Sequence, residues 1–324
     1  MKTLRNVLAS CFAAMAMLGV HAADAWPARP ISFVVPFAPG GITDLAARTL
    51  AKSVAARLGQ PVVVENRAGA SGSLGAEHVA RQPADGYTIL FGTSSTHASN
   101  LALYKDVRYD PVADFVPVYG ISATPLVLVV NPKLPLKTVA QLVAYAKANP
   151  GKLNFASAGA GTAPHLAAAL FQHTTATKMT HVPYKGAAPA LADMLGGSVD
   201  LLFDYGPTVA PYLSRKQLVP LAVTGTAAIA GLEDVPTMAE AGAPGAELIA
   251  WSAVFAPART PPEVVNALAD AFAAAATQPE FASLIRRTGS VPLKDARDAA
   301  LAGFVKSEAA RWRDIVQMSG AKLD

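Results

Sequence analysis

Cysteine is almost absent from this 324-residue sequence. The single cysteine, Cys11, lies in an N-terminal segment that we expect to be removed from the mature protein. A chain without cysteine forms no disulfide, no thiolate metal site and no cysteine nucleophile. These three kinds of chemistry are therefore excluded for the mature protein.

Charged residues are also few, at 15% of the chain against 52% hydrophobic residues. This composition excludes a disordered chain, because it provides enough apolar surface to build a folded core. The formal net charge is +4, from 27 basic and 23 acidic residues, and no run of Lys or Arg concentrates it. We therefore expect no nucleic-acid partner.

No apolar stretch reaches the roughly 20 residues that a membrane-spanning helix needs. A shorter one, residues 7–20, follows two basic residues and precedes a cluster of alanines. This order is typical of a secretory signal peptide. We predict a signal peptide at residues 1–25, cleaved after Ala25 or, alternatively, after Ala22, and an exported mature protein. Lipidation at Cys11 is the less favoured alternative, because too little apolar sequence precedes it.

Short β-branched stretches alternate with helical ones from residue 31 onward. This alternation predicts an α/β fold with a mostly parallel sheet. The length exceeds the usual range of about 50–250 residues for one domain, which favours two lobes. The predicted strands are residues 31–35, 62–65, 87–91, 126–130, 153–156, 179–182, 199–203, 219–223 and 253–255, and the predicted helices are residues 43–58, 73–81, 139–148, 166–171, 188–195, 263–276, 280–287 and 295–318.

Two short apolar strands, residues 126–130 and 253–255, are the candidate crossings between the lobes. Each is followed within two residues by proline, and together they bracket the second half of the alternating pattern. We predict that lobe 1 comprises residues 26–125 plus 256–324 and that lobe 2 comprises residues 126–255. Ligands of α/β sheets bind at the carboxyl ends of strands and often between domains, so the cleft is the expected site.

The loop between the first strand and the first helix, residues 36–44, has the sequence PFAPGGITD. Paired glycines let the backbone approach a ligand, and the helix that follows presents unpaired N–H groups with a partial positive charge. That combination predicts an anion site made of backbone. An ordinary strand-to-helix turn, with Thr43 or Asp44 as the cap, stays open as the alternative. The candidate ligand contacts in this loop are Phe37, Ala38, Gly40, Gly41, Thr43 and Asp44.

A second glycine-bearing loop, residues 157–165, has the sequence SAGAGTAPH and the same predicted role. Thr162 is a good N-cap and Pro164 suits a first helical turn. The loop lacks the third glycine of a dinucleotide fingerprint, and neither loop contains the lysine of a phosphate loop, so both nucleotide motifs are rejected. The candidate contacts here are Ser157, Gly159, Ala160, Gly161, Thr162 and His165.

Other polar residues follow predicted strands. The hydroxyl-rich run at residues 93–97 is explained equally by ligand binding and by capping of a helix near His97. Side chains after the strands of lobe 2 are placed to reach the cleft, whereas Lys185 is expected to be a solvated cation. The candidate contacts in these segments are Ser94, Ser95, Thr96, Tyr184, Asp204 and Tyr205.

Catalytic and metal-binding patterns are not found in the sequence. Residues 69–72 lack the spacing of a nucleophile elbow, and His165, His173 and His181 are eight residues apart, which is not zinc-ligand spacing. We therefore predict a binding protein with no catalytic residues, no metal and no cofactor. A secreted hydrolase with a triad assembled from distant positions stays open as the alternative. A transcription-regulator effector domain is disfavoured, because a signal sequence stands where a helix-turn-helix would precede it.

Seven short motifs follow one another along the chain. They lie at residues 26–31 (WPARPI), 36–44 (PFAPGGITD), 64–69 (VENRAG), 84–88 (ADGYT), 157–162 (SAGAGT), 182–186 (VPYKG) and 255–257 (FAP). As an ordered set they are highly specific. Through them the sequence resembles the substrate-binding proteins of tripartite tricarboxylate transporters, the Bug or TctC family.

The resemblance implies a two-lobed periplasmic-binding-protein fold of the type II-like, Venus-flytrap form, with a ligand cleft between the lobes. It implies that the loops at residues 37–44 and 157–162 bind a ligand carboxylate, partly through ordered water, and that membrane subunits of such a transporter take the solute. The expected protein is a periplasmic monomer. Family members often have Asn after the aspartate equivalent to Asp204, whereas this chain has Tyr205. An aromatic side chain there favours an aromatic or shorter acid over citrate.

Overall fold

The computed structural model describes residues 26–184, 186–225, 229, 231–294 and 296–321. The signal peptide predicted at residues 1–25 and the predicted surface cation Lys185 lie outside the described residues. Within the part of the chain that is described, no helix combines the length and the apolar character that a membrane span requires.

The first parallel unit follows the predicted alternation closely. Leu50 and Val54 lie on the buried face of its first helix, which packs against the sheet. That helix ends at Gly59, whose left-handed φ of 70° suits glycine at a helix C-terminus. The elements are β1 (Ile31–Val35), α1 (Ile42–Leu58), β2 (Val62–Asn66), α2 (Ser73–Ala80), β3 (Thr88–Thr93) and α3 (Asn100–Leu103).

A long strand, β4 (Phe115–Val130), joins the two halves of the sheet. Residues 115–125 pair antiparallel with β9 (Ile249–Pro257), whereas residues 126–130 pair with the strands of the second half. Valine and leucine dominate the end of β4, as expected for a strand buried on both faces. One continuous strand therefore links the two halves at the level of the cleft.

The second half repeats the strand-and-helix order of the first. Its strands β5, β6 and β7 are parallel, whereas β7 and β8 each pair antiparallel with β4. The elements are α4 (Val139–Ala148), β5 (Asn154–Ser157), α5 (Ala163–Thr175), β6 (Thr180–Pro183), α6 (Ala187–Gly196), β7 (Leu201–Tyr205), α7 (Gly206–Ser214) and β8 (Val219–Val223).

The C-terminal part returns to the first half and covers the junction. Its last helix packs against both the segment after β3 and helix α5, with Trp312 fully buried. The indole N–H of Trp312 donates to Glu308 Oε2 at 2.9 Å, which satisfies the buried donor. The elements after β9 are α8 (Pro262–Ala276), α9 (Pro279–Arg287), β10 (Val291–Pro292) and α10 (Asp298–Ser319).

The strands form a mixed sheet in the order β2-β1-β3-β9-β4-β7-β5-β6, with β8 and β10 also paired to β4. Residues 253–255, predicted as the second crossing, pair with β3 and with β4. The lobe limits of 26–125 plus 256–324 and 126–255 stay a prediction.

Candidate functional site

A cavity of about 460 Å³ lies where the two halves of the sheet meet. Its walls come from the start of α1, the turn after β3, the start of α5, the end of β7, the middle of β4 and β9, and the α9–β10 segment. The predicted contact residues that line it are Phe37, Gly41, Thr43, Ser94, Ser95, Thr162, Asp204 and Tyr205. The predicted contacts outside its lining are Ala38, Gly40, Asp44, Thr96, Ser157, Gly159, Ala160, Gly161, His165 and Tyr184.

Helix α1 begins at the cavity wall. Gly41 is its N-cap residue, with an extended φ of −77° and no side-chain cap hydrogen bond. The first amide that bonds within the helix is that of Leu45, which donates to Gly41 O at 3.0 Å. The earlier amides have no partner inside the helix, and Gly41, Ile42 and Thr43 line the cavity. The positive end of the helix dipole therefore faces the cavity.

Asp44 braces this loop rather than lining the cavity. Its carboxylate accepts hydrogen bonds from the Gly40 amide at 2.9 Å, from Asn66 Nδ2 at 2.9 Å and from Arg48 Nε at 3.0 Å. The hydrogen bond from Arg48 is the main cause that lowers the pKa of Asp44 to about 2. Asn66 also donates to Phe37 O at 3.0 Å, so both sides of the loop are tied to β2.

The turn after β3 divides its hydroxyls between two roles. Ser94 and Ser95 line the cavity. Thr96 is buried, and its hydroxyl donates to Thr93 O at 3.1 Å and accepts from the Thr93 amide at 2.9 Å. The next residue, His97, is buried in the core, where its ring stacks on that of Phe255 with 3.6 Å between the ring centroids. Burial lowers the pKa of His97 to about 3. Thr96 therefore closes the strand end, and the two serines are left at the cavity.

The second glycine loop uses most of its predicted amides internally. The Gly159 amide donates to Ser157 Oγ at 3.2 Å, and the Gly161 amide donates to His165 Nδ1 at 3.0 Å. Thr162 is the N-cap residue of α5, but its hydroxyl donates to Gly159 O at 2.7 Å instead of capping the helix. This loop therefore presents the positive, N-terminal end of the α5 dipole to the cavity, where Thr162 and Ala163 form part of the wall.

A column of stacked rings supports that loop from below. His165 stacks on His181 at 4.0 Å, and His181 stacks on Phe155 at 4.7 Å. Burial lowers the pKa of His165 and of His181 to about 4, so both imidazoles are neutral at pH 7. Ser157 Oγ lies 2.7 Å from His181 Nε2, a pairing that a hydrolase would use. Ser157 is buried and lies outside the cavity lining, so this pair serves the loop.

The end of β7 contributes a carboxyl group and an aromatic ring. Asp204 is 3% exposed and accepts from the Tyr205 amide at 2.7 Å and from the Thr208 side chain. Burial raises the pKa of Asp204 to about 6, and it also raises the pKa of Tyr205. Tyr184 behaves differently, because its hydroxyl bonds Asp193 Oδ2 at 2.6 Å, on α6 and away from the cavity lining.

Hydroxyls on β4, β9 and the α9–β10 segment were missed by the sequence reasoning. Ser122 Oγ lies 3.0 Å from Ser252 Oγ, and Thr124 Oγ1 lies 2.8 Å from Ser290 Oγ. All four residues line the cavity. Ser122 and Thr124 stand two residues apart in an otherwise apolar strand, and this alternation was the signal that could have found them.

Comparison with known proteins identifies the family. A model described as the tripartite tricarboxylate transporter family receptor matches residues 46–321. The chain belongs to this family. It is 40% identical to "Protein BugT" of Bordetella pertussis over 302 residues, which cover 93% of this chain and 92% of that protein. The fold is the two-lobed periplasmic-binding-protein fold of that family.

Two solved relatives were determined with ligands. Rpa4515 of R. palustris with adipate is 39% identical, with a TM-score of 0.81 and coverage of 92% of this chain and 100% of that chain. MatC of Rhodopseudomonas palustris with bound malate is 33% identical, with a TM-score of 0.79 and coverage of 90% of this chain and 100% of that chain. Both relatives therefore match this transporter receptor over nearly its whole described length.

Proposed function

We propose that this chain is a periplasmic solute-binding protein that captures a small organic carboxylate and delivers it to a tripartite tricarboxylate-type membrane transporter. One observation carries the proposal: the N-terminal ends of α1 and α5, one from each half of the sheet, contribute to the same cavity. The adipate and malate bound by Rpa4515 and MatC support a carboxylate as the ligand class.

The helix ends supply the attraction for the carboxylate. Each helix end presents about half a positive charge to the cavity, α1 adds the unpaired amides of its first turn, and Ser94 and Ser95 add hydroxyl donors beside them. Because the donors come from both halves, a bound anion makes more contacts when the halves are close together. Ligand therefore shifts the population toward a closed form, as in other hinged binding proteins.

The family's periplasmic setting supports the more detailed parts of the proposal. The predicted signal peptide at residues 1–25 directs export, and the mature chain acts as a monomer that docks on the membrane subunits. Asp204 and Tyr205 form part of the wall around the rest of the ligand, and an aromatic or short acid suits this wall better than citrate. No cofactor takes part, because the proposed activity is binding and release.

Hydrolysis is the second candidate, on the single observation of the Ser157–His181 contact. An ester panel tests it directly with the purified protein. Turnover that Ser157→Ala abolishes would establish a hydrolase, whereas recovery of every ester unchanged supports the binding protein.

A thermal-shift and calorimetry screen tests the proposal. The probes are adipate, malate, citrate and benzoate, and mass spectrometry of the recovered acid reports any conversion. A ligand at about 100 times its Kd adds roughly 2.7 kcal/mol, which raises the melting temperature of a protein of this size by about 4 °C. One-to-one binding of an unchanged acid is expected. Absence of a shift and of binding heat with every acid would refute the proposal.

A further inference from the structure

Three hydroxyls in the cavity wall form a hydrogen-bonded chain. Thr124 Oγ1 on β4 lies 2.8 Å from Ser290 Oγ, and Ser290 Oγ lies 2.7 Å from Thr288 Oγ1. The Thr288 hydroxyl also lies 2.8 Å from the carbonyl oxygen of Ile285, at the end of α9. The three side chains are 8%, 7% and 6% exposed, and all three line the cavity.

The carbonyl at one end sets the direction of every hydrogen bond in this chain. A carbonyl oxygen only accepts, so Thr288 donates its one hydroxyl hydrogen to Ile285 O. Ser290 must then donate to Thr288, and Thr124 must donate to Ser290. Each of the three hydroxyls therefore uses its hydrogen in a hydrogen bond. Thr124 Oγ1, at the other end of the series from Ile285, can only accept a hydrogen bond from a ligand.

Other groups around the cavity are acceptors for the same reason. The Thr162 hydroxyl donates to Gly159 O, and Thr208 bonds the carboxyl group of Asp204, which at neutral pH accepts only. The Ser122–Ser252 pair differs, because two hydroxyls share one contact and one hydrogen stays available. The helix ends and the hydroxyls of Ser94 and Ser95 can therefore donate to a ligand carboxylate, whereas Thr124 offers no donor.

We infer that the ligand carries, besides its carboxylate, a hydrogen-bond donor such as a hydroxyl, an amino group or a ring N–H, and that Thr124 Oγ1 accepts from it. The inference rests on the proposed function. A second carboxylate at this wall would face oxygen lone pairs, and a plain hydrocarbon end would leave the buried oxygen unpaired. Thr124 is thereby a specificity-determining residue.

Acids of matched length test the inference by calorimetry. The first set is hexanoate, adipate, 6-hydroxyhexanoate and 6-aminohexanoate, and the second set is benzoate, terephthalate and 4-hydroxybenzoate. In at least one set we expect a donor-bearing acid to bind about tenfold more tightly than both the plain acid and the diacid, the factor for one net hydrogen bond. Thr124→Val keeps the side-chain shape and should reduce that preference to about threefold or less.

A second variant reverses the polarity of the wall without touching Thr124. In Ser290→Ala the Thr124 hydroxyl hydrogen loses its acceptor and is free to point at the ligand. The affinity ratio of diacid to hydroxy acid should therefore rise about tenfold relative to the wild type. Thr288→Val, which removes the acceptor of Ser290, should change the ratio in the same direction and replaces Ser290→Ala if that variant does not fold.

The outcomes separate this inference from the proposed function. If no acid of either set binds the wild-type protein and malate and citrate do not bind it either, the proposed function and this inference are both overturned. If acids bind but no donor-bearing acid exceeds its plain and diacid partners, this inference alone is overturned. It is also overturned if Thr124→Val and Ser290→Ala lower the affinity of all probes by the same factor, because that is the signature of a purely structural role.

Discussion

Burial of the ionised Asp204 carboxylate should lower the stability of the protein at neutral pH. Asp204→Asn removes this charge and should therefore raise the stability. The carboxyl group is 3% exposed, and the amide of Tyr205 and the side chain of Thr208 are its hydrogen-bond partners. Asparagine has nearly the same shape and keeps an oxygen for the Tyr205 amide. The variant therefore removes the buried charge and little else.

The magnitude follows from the pKa of Asp204, which burial raises from 3.8 to about 6. Each pKa unit corresponds to about 1.4 kcal/mol, so the ionised form costs the folded state about 3 kcal/mol at pH 8. Unfolding of a chain of this length has an entropy of roughly 0.6 kcal/mol per kelvin. Asp204→Asn should therefore raise the melting temperature by about 5 °C at pH 8.

The pH dependence of this difference has a definite sign. Between pH 3.8 and about pH 6 the folded state binds the Asp204 proton more tightly than the unfolded state does. The contribution of Asp204 to the wild-type free energy of unfolding therefore falls as the pH rises through this range. Asparagine does not titrate. The gain in the free energy of unfolding should therefore shrink from about 3 kcal/mol at pH 8 to about 0.5 kcal/mol at pH 4.

Calorimetric melting of wild type and variant without ligand, at pH 4, 6 and 8, measures this difference. The matched control is the exposed Asp298→Asn, which makes the same chemical change at the surface and should leave the melting temperature unchanged within about 1 °C. A variant that melts lower than the wild type at pH 8, or a gain that is the same at pH 4 and pH 8, would refute the reasoning.

Two further predictions concern the first glycine loop. Gly41→Val should fold, because Gly41 has φ −77° and an added Cβ would lie 3.8 Å from its nearest neighbour, but it should crowd the cavity and weaken binding of the acids at least tenfold, as measured by calorimetry. Gly40 has φ 85° and lies outside the cavity lining, so Gly40→Val should instead lower the melting temperature. Asp44→Asn should lower the free energy of unfolding at pH 7 by about 1–2 kcal/mol, a value reduced by solvent screening because Arg48 is half exposed. This loss of stability should become smaller below pH 4, because the wild-type carboxylate itself becomes protonated as the pH approaches its pKa of about 2.

Either loop prediction has a contradicting outcome. Equal loss of affinity in Gly41→Val and Gly40→Val would mean that loop integrity, and not the space beside the helix end, controls binding. A stability loss in Asp44→Asn that persists unchanged from pH 7 to pH 2 would mean that the ionised carboxylate does not brace the loop.

Local sequence patterns determined the order and most limits of the elements. The predicted strands at residues 31–35 and 219–223 and the predicted helix at residues 139–148 have the same limits in the structure. Helix α7 was missed, because its prolines argue against a helix in any local window. The first part of β4 was missed as well, because Pro117 and Gly120 interrupt its apolar pattern.

The family and the two glycine loops were also within reach of the sequence. Each loop is a contiguous stretch whose glycines, cap residue and following helix lie within ten residues or so of one another. Short motifs in a fixed order therefore predicted the family, and the strand-to-helix turns predicted that helix ends reach the cleft.

Tertiary structure alone decided which atoms face the cavity. The Gly161 amide donates to His165, the Tyr184 hydroxyl bonds Asp193, and Asp44 at the start of α1 accepts from Asn66 at the end of β2. These partners depend on how strand ends and helices pack, which no residue pattern specifies.

The hydroxyl chain shows the same limit most clearly. Thr124 and Ser290 are 166 residues apart in sequence and meet only because β10 pairs with β4 beside the end of α9. Residue types predict that a hydroxyl can donate or accept, but the direction of each hydrogen bond is set by the Ile285 carbonyl, which accepts the last hydrogen bond of the series. The sequence therefore determined that the protein has an anion-binding cleft of this family, and the fold decided what the rest of the wall accepts.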